Sequence, residues 1–163
     1  MKKTGVLSFC MILSCVCPVT LSQGAGTPEV PSYAADGALR LPENYREWVY
    51  LSSGFDMSYR PGRQSGQHEF DNVFVSPAAY REFTKSGTWP DRTMFVLEVR
   101  GAQAKGSINL SGNYQGGAIL ELEMHVKDEA RFPGKWAFFS FGGRSLGTLL
   151  PRAAECGYCH YRR

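Results

Sequence analysis

The sequence predicts an α+β fold, a small and predominantly antiparallel β-sheet with a few helices. Three observations carry that prediction. In "AILELEMHVKD", Leu120, Leu122, Met124 and Val126 alternate with Glu121, Glu123 and His125, the period of a two-faced strand. Strand-like runs outnumber helix-like ones along the chain. The segments between them are short, which favours antiparallel pairing over crossover connections.

In chain order, residues 25–40 are a Pro/Gly/Ser/Ala stretch with little to bury and read as a flexible lead-in. Structure is expected to begin at "LPENYREWVYLSSGF". Pro42 and Glu43 suit a first helical turn, and "WVYLSS" suits a strand. "RPGRQSGQHEFD" reads as a polar loop and "NVFV" as a short strand. Ser76 before Pro77 is an N-cap with proline at the first helical position, so "SPAAYREFTKSG" reads as a helix ended by Gly87. After the turn "WPDR", "TMFVLEVR" is a strand with Phe95, Leu97 and Val99 on one face. "GAQAKGSINLSGNYQGG" reads as a long glycine-rich loop. Beyond the Pro133-Gly134 turn, "WAFFSF" reads as the final strand. Pro151 is placed at the start of a last helical turn.

The N-terminus, "MKKTGVLSFCMILSCVCPVTLSQGAG", has the form of a secretory signal. Lys2 and Lys3 precede an apolar stretch and then small residues. Cleavage after Gly24 divides the chain into a leader (1–24), the lead-in (25–40) and one domain (41–163). A buried N-terminal helix and a lipoprotein lipidated at Cys15 are the competing readings. No other stretch reaches membrane-spanning length. The expected location is the periplasm. The leader carries two lysines and no acids, so net charge falls from +3 to +1 on its removal. That balance offers no electrostatic footprint for nucleic acid.

Cleavage also removes Cys10, Cys15 and Cys17, leaving Cys156 and Cys159. A disulfide between them would close a tiny loop and stabilise little. They stand in "CGYCH", followed at once by His160. C-x-x-C-H is the attachment signature of a c-type haem. Two intervening residues place both sulfurs where they can reach the two vinyl groups of one porphyrin, and His160 then serves as the proximal iron ligand. Two other readings compete. Half a zinc site would need a second Cys or His pair, and the remaining histidines, His68 and His125, are scattered. A redox pair belongs at a strand-to-helix junction of a βαβ unit.

A sixth iron ligand would come from Met57, Met94, Met124, His68 or His125. Met94 and Met124 fall on strand faces and read as packing residues. His68 reads as solvated in its polar loop. The reading is therefore a five-coordinate iron, which favours small-molecule binding over simple electron transfer.

"LPENYREWV", "NVFVSPAAYREFTKSGTWPDRTMFVLEV", "VKDEARFPGKWAFFSF" and "AECGYCH" occur in that order. Together they resemble the cytochrome P-460 family, from about Leu41 to His160. The resemblance implies a small antiparallel β domain with helices, one covalently attached haem c per chain, and usually a homodimer. The family includes periplasmic enzymes that oxidise hydroxylamine. It also includes the related cytochrome c′-β, which binds nitric oxide and carbon monoxide. In the hydroxylamine oxidisers a strand lysine is bonded to the porphyrin, and the matching position here is Leu97. Where those enzymes carry an arginine, this chain has Asp71. Glu123 matches the family's distal glutamate, a proton acceptor and the candidate catalytic residue. Glu98 reads as structural or solvent-facing.

These features together point to a periplasmic mono-haem c-type cytochrome with an uncross-linked haem that binds nitric oxide or a related small ligand. One alternative is a hydroxylamine or nitric oxide oxidoreductase that passes electrons to a partner cytochrome. Another is a simple electron-transfer cytochrome.

Overall fold

The computed structural model describes residues 29–58, 67–106, 108 and 110–152. Among the described residues seven strands form one sheet: β1 (Leu39–Arg40), β2 (Val49–Phe55), β3 (Glu69–Val75), β4 (Met94–Gln103), β5 (Tyr114–Lys127), β6 (Trp136–Ser140) and β7 (Leu146–Leu149). Their order across the sheet is β1-β7-β6-β5-β4-β3-β2, and every neighbouring pair is antiparallel. Among the described residues the only α-helix is α1 (Pro77–Ser86). The α+β expectation is thereby corrected to an essentially all-β domain.

The correction has local causes. The turn expected after Pro42 is a single 3-10 turn, Tyr45–Glu47. It stops there because Trp48 is already extended, with ψ of 170°, and leads straight into the aromatic and β-branched start of β2. The helix α1 forms as its sequence predicts. Pro77 opens it, and Gly87 closes it at φ +71°, donating its N–H to the Phe83 carbonyl. The Ser76 side chain makes no capping bond; its backbone N–H is held instead by the Met94 carbonyl on β4.

Three strand boundaries also differ. The two ends of the glycine-rich stretch are strand rather than loop, since β4 runs to Gln103 and β5 starts at Tyr114. Strand β3 begins at Glu69, inside the stretch expected to be loop. "WAFFSF" is not the last strand, because β7 follows it after a turn through Gly142 and Gly143, both at positive φ. Residues "LGTL" carry a weak strand signal, yet Gly147 is required there. A Cβ on it would lie 2.8 Å from the ring of Phe141.

The lead-in is part of the fold from residue 29 onward. Leu39 is fully buried and pairs with Gly147. The Tyr33 hydroxyl donates to Asp128 at 3.0 Å, and the Arg131 guanidinium lies 4.1 Å from the Tyr33 ring centre. Proline and glycine lower the strand propensity of this stretch; what orders it is burial against the sheet.

One face of the sheet forms the core. Met94 and Val96 of β4, Leu122, Met124 and Val126 of β5, and Ala137 and Phe139 of β6 pack there with Leu39, Tyr45, Trp48 and Phe141. These positions alternate along each strand, as a period of two requires. Glu98 falls on the same face and is 3% exposed. It accepts from the Tyr45 hydroxyl at 2.5 Å, from Arg46 at 2.9 Å, and from Arg100. Burial pushes the Glu98 carboxyl up, but the bonds from Arg100, Tyr45 and Arg46 outweigh it and hold the group below its ordinary range. Glu98 is thus structural rather than solvent-facing.

Candidate functional site

The intervening residues of the same strands build a second face. The antiparallel register places four rows across it. Val75, Phe95, His125 and Phe138 form one row, and Val73, Leu97, Glu123 and Ser140 form the next. Asp71, Val99 and Glu121 form a third. Lys127 and Trp136 form the fourth, beyond His125. Leu97, Val73, Glu123 and Asp71 are half-buried, whereas Glu121 is exposed. The face is therefore an aliphatic and aromatic surface with carboxylates along one side.

Aromatic rings wall off one end. Phe83 of α1 stacks on Trp89 at 3.9 Å, and Trp89 meets Phe95 edge-on at 4.8 Å. His125 stacks on Phe138 at 4.0 Å and lies 4.4 Å from Trp136. The imidazole of His125 is thus sandwiched as an aromatic packing group. Lys127, on the same face, has its ammonium bound to the Trp89 carbonyl at 2.8 Å and to Glu129 at 3.1 Å. It is committed at the wall end, two residues beyond His125.

Charge crowds the opposite side. Burial pushes the Glu123 carboxyl up to about 7, and the Glu121 charge, a hydrogen bond to Glu121 and the Asp71 charge push it in the same direction. Asp71 is likewise raised, first by burial and then by Glu69 and Asp56, although it accepts the Met57 N–H. Near neutral pH Glu123 is thus present in both protonation states. It is equipped to give or take a proton on an apolar face.

The residues present fit a haem on this surface. The face offers aliphatic side chains, stacked rings and a carboxyl able to stay neutral. The chain length from the last described strand allows the C-terminal signature to reach it. The Leu150 N–H binds the Phe138 carbonyl, so the chain leaves the sheet level with the His125 row. Cys156 follows six residues later and can lie up to about 20 Å away. Cys156, Cys159 and His160 themselves lie outside the described residues, as do the leader and Cys15.

The structure separates the remaining candidates. Met94 and Met124 are each 1% exposed on the core face, with the sheet between them and Glu123. A cavity of about 230 Å³ lined by Met94, Glu29, Arg40 and Leu41 also belongs to that side. Met57 is 73% exposed, and His68 is tied to Asp56 through Nδ1 at 2.6 Å. Glu121 was not singled out by sequence reasoning, although the alternation that flags Glu123 carries it too. Val73 and Ser140 reach the site only through cross-strand register, which no single strand reveals.

No helix among the described residues is long and apolar enough to cross a membrane. No curated protein matches the chain. The Cytochrome P460 family model matches residues 42–163, taking in the whole of the second face on β3 to β6 and the C-x-x-C-H signature. On that match, with a face suited to the prosthetic group, the chain belongs to the cytochrome P460 family and is a haem-binding c-type cytochrome.

Proposed function

We propose that the protein is an exported mono-haem cytochrome that binds a small nitrogen-oxide or gas ligand, nitric oxide foremost, without a lysine–porphyrin link. One observation carries the reading. Leu97, where a cross-linking lysine is expected from the family, lies mid-face between Val73 and Glu123. Lys127, which shares the face, is held at the aromatic end by Trp89 and Glu129.

Cys156 and Cys159 would hold the porphyrin, and His160 would ligate its iron. When bound, the haem would supply an iron able to take up a small neutral molecule. The protein's own side chains do the rest. Leu97 and Val73 give the face an aliphatic patch that offers water no hydrogen bond, leaving Glu123 and Ser140 as the polar groups of their row. Glu123 is the one carboxyl in their row and holds or releases a proton beside them. The chain is read as periplasmic and homodimeric, with a redox cytochrome as its partner in the oxidative reading.

The second reading is hydroxylamine or nitric oxide oxidation, and it is favoured by Glu123, whose carboxyl titrates near neutral pH. Optical spectra of the ferrous protein test both, together with the electron-transfer alternative. A high-spin ferrous spectrum that binds carbon monoxide without losing a side-chain ligand supports the proposal. A low-spin ferrous spectrum that changes in a Met57, Met94 or Met124 variant moves the protein to electron transfer.

A further inference from the structure

Strand β5 carries a bulge at the edge of this face. Val99 pairs with Glu121, but the next pair is Arg100 with Ile119, so Leu120 is an extra residue on β5. Bulges bend a strand and re-aim the side chains beside them. Here the neighbouring side chain is Glu121, two residues from Glu123 and on the same face. Their side chains leave one face of β5 two positions apart, and Glu121 acts on Glu123 closely enough to push its carboxyl up. They differ in surroundings, since Glu121 is exposed to water and Glu123 is half-buried beside Leu97.

We propose that Glu121 is the solvent-side half of a proton relay whose inner half is Glu123. The proposal rests on the reading that haem and its ligand occupy the second face. When Glu123 donates its proton toward a bound ligand, Glu121, its neighbour on the same face, passes one inward to it and recovers one from water. When Glu123 accepts a proton, the same path runs outward. The net transfer is one proton between bulk water and the face, with no change of oxidation state. The other titratable groups facing Glu123 are Asp71 from β3 and His125 along β5. Strands β4 and β6 contribute Leu97 and Ser140 opposite it, neither of which titrates in this range.

The arrangement makes Glu121 a positioning residue, which acts through Glu123. It also explains why an inward carboxyl can stay in equilibrium with solvent once a porphyrin covers the face. A lone Glu123 under such a cover would exchange slowly and hold one protonation state.

The test is pH-titrated infrared spectroscopy of the ferrous, carbon monoxide-bound holoprotein. It reads the protonated-carboxyl band and the carbon monoxide stretch together. In the wild type both are expected to titrate with a common midpoint near 7. Glu121→Gln should lower that midpoint by about one pH unit, because a like charge is removed. It should also slow hydrogen–deuterium exchange of the carboxyl at least tenfold, while Asp71→Asn lowers the midpoint without slowing exchange. Glu123→Gln should abolish both titrations. If Glu123→Gln abolishes them but Glu121→Gln changes neither midpoint nor exchange, the relay is overturned and the haem-face reading stands. If the Glu123→Gln holoprotein still shows the carbon monoxide stretch titrating as in the wild type, the ligand does not lie beside Glu123 and the underlying reading fails.

Discussion

Leu97 and Glu123 stand directly opposite each other across the β4–β5 ladder, an aliphatic side chain facing a carboxyl on a half-buried surface. The family's hydroxylamine oxidisers are expected to pair lysine with glutamate at these positions. On that expectation, this chain has the glutamate and not the lysine. Catalysis requires groups that stabilise a transition state, and an open iron alone does not provide them.

Wild-type protein is therefore expected to bind hydroxylamine weakly and to turn it over little. Its haem peptide should show two thioether links and no third by mass spectrometry. In Leu97→Lys, a half-buried amine has its pKa lowered by desolvation and is in part a neutral nucleophile. A third link should then form under oxidising conditions. Wild-type turnover comparable to that of the cross-linked enzymes would overturn this assignment of Leu97.

On the proposed reading, haem is attached through Cys156 and Cys159, the two cysteines outside the expected leader. Matured with a periplasmic haem-attachment system, the protein should keep haem stain after denaturing electrophoresis. Replacing Cys156 and Cys159 together by Ala should remove the stain. Haem-free protein that instead binds zinc at one per chain would favour the metal-site reading.

Glu123 makes stability depend on pH in a direction opposite to the usual carboxylate. Its folded pKa, about 7, lies above its ordinary value of 4.5. Between those values the folded state binds more protons than the unfolded state, so stability falls as pH rises. The stabilisation is present in full below about 4.5 and is lost by passage through 7. Glu123→Gln should flatten this dependence and be more stable than wild type at pH 8, by on the order of 1–2 kcal/mol. Urea melts at pH 5 and pH 8 measure it.

Glu98 should behave in the reverse sense. Its folded pKa lies below the ordinary value, so its contribution is present above that value and is lost as pH falls through the folded one. Glu98→Gln leaves Arg46 and Arg100 facing a neutral amide in a buried site. It is expected to destabilise by about 2–4 kcal/mol and to loosen the 3-10 turn at Tyr45. The denaturation midpoint, with hydrogen exchange at Glu47 and Trp48, reads both effects.

Gly147→Ala tests the role assigned to β7. The added methyl would meet the fully buried Phe141 ring at 2.8 Å. Neither partner can yield easily, since Gly147 is paired to Leu39 on the other side. A loss of about 1–3 kcal/mol is expected, seen as a lower Tm.

By itself the sequence determined the local features whose causes are local. The alternation around Glu123 set a two-faced strand, because side chains in a strand alternate whatever they pack against. Pro77 and Gly87 bounded the helix, since both act on their own φ. The order of cysteines and histidine at the C-terminus, with the strings before it, pointed to haem and to the family that the match over residues 42–163 bears out. Tertiary structure alone decided the rest. Strand β1 exists because Leu39 finds Gly147 on β7 across more than a hundred residues, which no local propensity encodes. Glu98 and Glu123 are both glutamates on central strands, and nothing in their immediate sequence predicts opposite pKa shifts. One meets two arginines and a tyrosine on the core face, and the other meets burial and two carboxylates on the opposite face. Register decided that difference, because moving a strand by one residue exchanges its faces and with them every charge a side chain can meet.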